Sequence, residues 1–230
     1  MALAHGLRYA QLRHPALRAA LAPQYPIGCK RLIFSNTYYP ALARPNVRLE
    51  TTPVASVHAG GLRLADGREH ALDVLVCATG FDTGRPLSAL TIVGRDGRTL
   101  AAAWADGAQA LHGISVAGFP NLFLLLGPNT ATGHTSTLPF IEAAVEHILA
   151  CMARTEAAGA RAIEVEAAAM AAHNAALQAR LAGSVWTQCQ SWYRDANGRI
   201  VALFPGSSAD YVAAVRLPRA ADYRLHEGRG

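Results

Sequence analysis

One run, DVLVCA at residues 73–78, constrains the fold more than any other stretch. Consecutive apolar residues without polar alternation do not suit a strand with one wet face. They suit a strand covered on both faces, and such strands belong to sheets flanked by helices. Residues 121–126, NLFLLL, form a second run of this kind. A helix should follow it, with Leu138, Ile141, Val145, Ile148 and Met152 as one apolar stripe. Ser136 or Thr137 is placed to cap it, Pro139 falls in its first turn, and Gly159 stops it. Residues 164–181 read as a further helix closed by Gly183, and residues 208–216 as a short one. Buried strands alternating with helices place the chain in the α/β class.

Smaller signals fill the gaps. Residues 1–25 read as helical, with Pro15 and Pro23 as breaks. Residues 46–50, 54–58 and 62–65 alternate, and the last two flank Ala59-Gly60-Gly61, a hairpin signal. A strand is expected near residues 199–204, entered through an Asn197-Gly198 turn.

The chain has 230 residues, 51% hydrophobic and 16% charged, which fits a well-cored globular protein. No apolar run approaches the ~20 residues of a membrane span, and the start lacks the pattern of a secretory signal. A cytoplasmic protein without membrane contact is expected. The net charge of +5 comes from scattered arginines with no basic run longer than two residues. That argues against nucleic acid and suits attraction of an anionic cofactor. Cys29, Cys77, Cys151 and Cys189 lie far apart without a CxxC pair, so free buried thiols and no zinc site are expected.

Three stretches can carry chemistry, each with a plainer reading beside it. DVLVCATGFD ends a strand in Ala78-Thr79-Gly80, small residues that let backbone pass close to a ligand, followed by Phe81 and Asp82. An ordinary strand exit would look the same. GFPNLFLLLGPNTATGHTS delivers Gly127, Pro128, Asn129 and Thr130 into a small-residue loop, then a helix start at Ser136 and Thr137. Helix N-termini favour negative charge, though a plain capped helix shares the pattern. In QCQSWYRDANGRI, Trp192 and Tyr193 form either a flat wall for a ring or core packing. His134 reads as a ligand contact or a loop cap.

GCKR adds a fourth signal, because Lys30 is the chain's single lysine beside twenty arginines (21 Lys+Arg less one). Lysine is a compact point charge suited to a phosphate; arginine is a planar fork of fixed charge. Lys30 and Arg31 therefore read as two cations with separate tasks, or as a solvated basic dipeptide.

Together YPIGCKRLIFSNTYYPAL, NVRLE, DVLVCATGFD, GFPNLFLLLGPNTATGHTS, FIEAAVEHI and WTQCQSWYRDANGRI resemble the C-terminal half of class B flavoprotein monooxygenases, the flavin-containing and Baeyer–Villiger type. The likeness runs over about residues 21–223. It implies the fold with two dinucleotide-binding domains for FAD and NAD(P), here incomplete, with a small β-meander and C-terminal helices. Residues 1–45 would end the NADP-binding and helical region; residues 46–230 would form the C-terminal part of the FAD-binding domain with a helical extension. The implied activity is NADPH-dependent oxygen insertion beside a ketone, or oxidation of a heteroatom, through a C4a-peroxyflavin. Arg31 resembles the active-site arginine and Lys30 the contact to the NADP 2′-phosphate. Thr79, Gly80, Phe81 and Asp82 would sit at the hinge by the cofactors. Gly127, Pro128, Asn129, Thr130, Ser136 and Thr137 would lie near the flavin, and Trp192 near the nicotinamide.

The departures are equally plain. No G-x-G-x-x-G follows a strand, and the family's F-x-G-x-x-x-H signature is absent. A missing N-terminal half is the expected partner, beside a small-molecule substrate and oxygen. The alternative is a non-catalytic remnant or interaction subunit that does not bind FAD alone.

Overall fold

A computed structural model describes residues 12, 14–80, 87, 89–133 and 135–227. The chain divides into two compact units: Met1–Gln24 with Ile33–Phe81, and Tyr25–Leu32 with Asp82–Gly230.

In the first unit, helix α1 (Pro15–Ala20) has proline in its first turn, so Pro15 starts this helix instead of breaking it. Ser35 precedes α2 (Tyr38–Leu42), its Oγ accepting from Tyr38 N–H at 3.1 Å. The expected hairpin forms: β1 (Val54–His58) pairs antiparallel with β2 (Gly61–Leu64), which pairs with β3 (Glu69–Ala71). This is the β-meander. Gly61 is required there, since a Cβ at that position would stand 1.9 Å from the His70 carbonyl oxygen. Arg63 and Glu69 face each other across β2 and β3 and form an ion pair of 2.6 Å.

The run at residues 73–80 corrects an expectation. It is neither strand nor buried: its residues are irregular and exposed, Val76 at 80%. A two-faced strand exists only when neighbours supply ladder bonds and cover, and the described residues of this unit supply neither. Residues 46–50 likewise form no strand.

The second unit holds α3 (Leu100–Ala103), α4 (Leu138–Ala157), β4 (Ala160–Val165), α5 (Ala167–Ala182), α6 (Ser208–Val215) and β5 (Tyr223–Glu227). Helix α4 begins after Thr137, as expected, but buries a different face. Phe140, Ala143, Ala144, His147 and Cys151 point inward, whereas Leu138, Leu149 and Met152 are exposed. Alanines let α4 approach α6 and β4 closely, and the core closes on that shape instead of on the longest side chains. Phe140 stacks on Tyr211 of α6 at 4.3 Å between ring centroids.

His147 is tolerated inside because both ring nitrogens are paired, Nδ1 to Val215 O at 2.6 Å and Nε2 to the Tyr223 hydroxyl at 2.7 Å. A carbonyl only accepts, so Nδ1 carries the proton. Tyr223 then donates to Nε2 and accepts from Ser115 Oγ at 2.9 Å.

Residues 160–165 form β4 and pair antiparallel with β5, so Glu164 and Val165 belong to a strand and not to the expected helix. Two more strand expectations are corrected. Residues 121–126 and 199–204 form only isolated bridges, Ser115 with Phe123, Ala131 with Leu203 and Arg194 with Ile200. Asn121 exchanges bonds with Ile163 of β4, and the other backbone bonds of these runs form no continuous ladder. Glu164 on β4, 1% exposed in its side chain, accepts from Gly118 N–H at 2.9 Å, Arg224 at 2.7 Å and His226 at 2.8 Å. Burial alone would raise its carboxyl; these donors outweigh burial and hold it at about 2. Among the described residues no helix is long and apolar enough to cross a membrane, and no cluster of His, Cys, Asp or Glu is set to hold a metal.

Candidate functional site

The GPN loop is built by backbone seams inside the second unit. Asn129 N–H donates to Val201 O at 2.8 Å, Ala131 N–H to Ala202 O at 3.0 Å, and Phe204 N–H returns to Ala131 O at 3.0 Å. Asn129 adopts φ +59°, which asparagine accepts more readily than most residues. It is buried, and its Nδ2 donates to Ile200 O at 2.8 Å and Leu203 O at 3.0 Å. Asn129 thus fixes the loop floor. Gly127 is needed for the same seam, because a Cβ would meet Gly113 O at 2.2 Å. Thr130 Oγ1 closes the turn on Gly127 O at 2.7 Å.

Above this floor lies a cleft of about 440 Å³ lined by Leu124, Leu125, Leu126, Gly127, Pro128, Thr130, Thr137 and Trp192, among others. That size falls within the roughly 300–1,000 Å³ of small-molecule sites. The helix start differs in detail from a bare cluster of donors: Ser136 Oγ accepts from Leu138 N–H at 3.2 Å, and Pro139 has no N–H. What faces a ligand there is the dipole of a 20-residue helix.

Trp192 is 45% exposed, and its ring meets that of buried Tyr193 edge-on at 4.5 Å. Burial raises the Tyr193 hydroxyl pKa, and the charge of Arg31 pulls it back, which sets Arg31 within electrostatic reach of this ring pair. Pro26, Ile27 and Gly28 form a tight turn, with Cys29 N–H on Pro26 O at 3.1 Å and Gly28 at φ +87°, the sign a type II turn demands of its third residue. Lys30 is no free-standing cation: its Nζ lies 4.6 Å from the centre of the Tyr25 ring.

Cys29 forms a disulfide with Cys189, so two of the four expected free thiols are in fact bonded. Only Cys151 is a free buried thiol; Cys77 is free and exposed. The pairing was missed because the two lie 160 residues apart, beyond what spacing can read. A usable signal existed, since each cysteine sits inside a stretch singled out for chemistry, one before Lys30 and the other three residues before Trp192.

The structure therefore brings Gly127, Pro128, Thr130, Thr137 and Trp192 around one cleft, with Ser136 exposed at its helix start and Asn129 beneath. Thr79 and Gly80 belong to the first unit, exposed, with Gly80 at φ +88° and nothing within 4 Å of where its Cβ would be. Phe81, Asp82 and His134 lie outside the described residues.

No family model matches the chain. It is 40% identical over 219 residues to a Baeyer-Villiger monooxygenase of Streptomyces coelicolor, covering 94% of this chain and 42% of that protein. The fold matches a steroid monooxygenase bound to NADP with a TM-score of 0.85 at 31% identity, covering 97% of this chain and 44% of that one. It also matches OTEMO in complex with FAD and NADP, with a TM-score of 0.86 at 25% identity over 97% of this chain and 43% of that one. The chain thus spans less than half the length of the proteins it matches. With its meander, its GPN loop and its ordered run of motifs, the chain is similar over almost its whole length to Baeyer–Villiger-type flavoprotein monooxygenases, and the share it covers fits their C-terminal half.

Proposed function

We propose that this chain supplies the cleft floor and the fixed positive charge of an FAD- and NADPH-dependent monooxygenase. Its substrates would be molecular oxygen and a small ketone or a compound with a soft heteroatom. The observation that carries the reading is an apolar cleft floored by the GPN loop and walled by Trp192, with Arg31 in electrostatic reach of the adjoining Tyr193. The donor set fits a flat, conjugated ring: leucines and an indole offer apolar faces, and the α4 N-terminus offers a positive end. When bound, FAD would supply the oxygen-activating redox chemistry. The residues here would do the rest. Pro128, Thr130 and Thr137 would bear on the ring's edge, and Trp192 would cover one face. Lys30 would hold the nucleotide 2′-phosphate. Arg31 would stabilise negative charge developing at the reacting oxygen. Residues 1–45 would complete an NADP-binding region and residues 46–230 an FAD-binding one, with the remaining parts supplied by an N-terminal half.

The exposed state of residues 73–80 supports a second reading, in which the 230-residue chain alone is a remnant or interaction subunit without FAD. Equilibrium dialysis with FAD separates the two. Weak or no binding by the chain, with tight binding on joining the glycine-rich βαβ half, fits the first reading. No binding in either form leaves the second. In the joined protein, Lys30→Ala should weaken the preference for NADPH over NADH about 10- to 100-fold, the value of one charge-assisted contact. Arg31→Ala should instead release hydrogen peroxide in place of product.

A further inference from the structure

We propose that Cys29 and Cys189 are positioning residues for the cation pair, and that their bond makes the site respond to thiols. The Tyr25–Leu32 segment has neither helix nor strand to hold it, and it belongs to the same compact unit as Cys189 and Trp192. Its backbone turn closes on itself, Cys29 N–H to Pro26 O. Its covalent hold on the cleft wall is the bond from Cys29 to Cys189. One end of that bond immediately precedes Lys30 and Arg31; the other lies three residues before Trp192. Opening it frees the segment that carries both cations, Lys30 over the Tyr25 ring and Arg31 within electrostatic reach of Tyr193. What the cations bind rests on the reading above, but the clamp does not.

The two sulfurs differ in access. Cys29 is fully buried, and Cys189 is partly exposed. A low-molecular-weight thiolate therefore attacks Cys189 Sγ. The Cys29–Cys189 bond breaks, its electron pair leaves on Cys29 Sγ, and a mixed disulfide forms on Cys189. A second thiolate attacks the outer sulfur of that mixed disulfide and releases Cys189. The protein gains two electrons and two protons, and two small thiols become one small disulfide. Lys30 and Arg31, next in sequence, favour the departing Cys29 thiolate. A small disulfide such as oxidised glutathione drives the reverse exchange.

The test uses the full chain purified without reductant. Denatured and alkylated, it should carry label on Cys77 and Cys151 and yield one linked peptide pair containing Cys29 and Cys189. Hydrogen exchange before and after dithiothreitol should then quicken about tenfold in residues 25–32 and 185–193 as local opening is released, with β1 to β3 unchanged. Oxidised glutathione should restore the slow exchange. Cys189→Ser, at the less buried end, should copy the reduced state and no longer respond to thiol; Cys29→Ser should agree with it. Label on all four cysteines before reduction, or exchange that ignores reduction, overturns the clamp. Adenosine 2′,5′-bisphosphate, titrated into both states, should bind more weakly after reduction. If it binds neither state while exchange still responds, the clamp stands and the assignment of Lys30 to the 2′-phosphate fails.

Discussion

Residues 73–80 and residues 121–130 are alike as sequence: an apolar run that empties into a turn of small residues. They end in different conditions, although Leu125 and Leu126 of the second run are themselves exposed. The second run finds its partners within its own compact unit, where Leu124 N–H meets Ile114 O and the following loop is seamed to Val201 and Ala202. Asn129 then ties two further carbonyls into the floor. The first run lies irregular and open, with Val74, Leu75 and Val76 all exposed. Hydrophobicity alone did not separate them. What did was whether the backbone groups of each run met complementary groups, since an apolar stretch gains nothing from burial that leaves its amides unpaired.

The largest effect expected from this contrast is at Asn129. Asn129→Ala strips the donors from Ile200 O and Leu203 O and places alanine at φ +59°. Two buried acceptors at about 1–3 kcal/mol each, plus about 1 kcal/mol for the backbone, give a loss of roughly 3–7 kcal/mol. Ile200 O keeps the bond from Gln178 Nε2, so the lower part of that range is expected. Urea unfolding gives the number. Asn129→Gly should recover the backbone part and nothing more.

Acid should act next, and on the second unit. Burial, then the charges of His173 and His147, pushes His112 down to about 3; burial also lowers His147 and His173. An unfolded histidine titrates near 6.5, so its folded counterpart here resists the proton that the unfolded chain accepts. The stability these groups contribute is present above pH 6.5 and is lost as pH falls below it. For His112 that loss runs down toward its folded value near 3, at about 1.4 kcal/mol per pH unit, roughly 2 kcal/mol by pH 5. Hydrogen exchange at pH 5 should therefore quicken around α4 and β5 before it quickens in the meander. Equal loosening of both units would break the comparison.

Glu164 sharpens it at a smaller scale. Glu164→Gln keeps an acceptor for Gly118 N–H but removes the charge that faces Arg224 and His226. Because Arg224 is 39% exposed and water screens it, a loss of about 1–2 kcal/mol is expected. The wild-type contribution is present above the unfolded value of 4.5 and fades as pH drops toward about 2; the variant should lack that dependence.

These cases also mark how far the sequence could be read. The hairpin at Ala59-Gly60-Gly61 and the start of α4 after Thr137 were legible because their causes are local: a turn that needs glycine, a proline near a helix start. The face α4 buries was not legible. Counting leucines favours Leu138 and Met152, but the core chose Ala143, Ala144 and His147, and His147 is acceptable only because Tyr223 and Val215 stand 76 and 68 residues away. The site divides along the same line. Gly127, Pro128, Thr130, Thr137 and Trp192 were nameable from motif order, whereas the bond from Cys29 to Cys189 and the downward aim of Asn129 depend on contacts that no spacing reports.

The smallest expected effect is the most pointed test of the opening contrast. Val76→Ser removes an apolar side chain that is 80% exposed and makes no core contact, so the stability of the 230-residue chain should change by less than about 0.5 kcal/mol. Its colloidal behaviour should improve, because the exposed run of Val74, Leu75 and Val76 is an apolar, unpaired edge of the kind that recruits other chains. Light scattering against concentration reads that directly. In a longer chain that adds the glycine-rich βαβ half, a strand at this place would be covered on both faces, and Val76→Ser should then cost about 1–3 kcal/mol as a buried polar group without a partner. A loss in the 230-residue chain that rivals Asn129→Ala would mean that residues 73–80 are already packed, and the contrast between the two runs would be wrong.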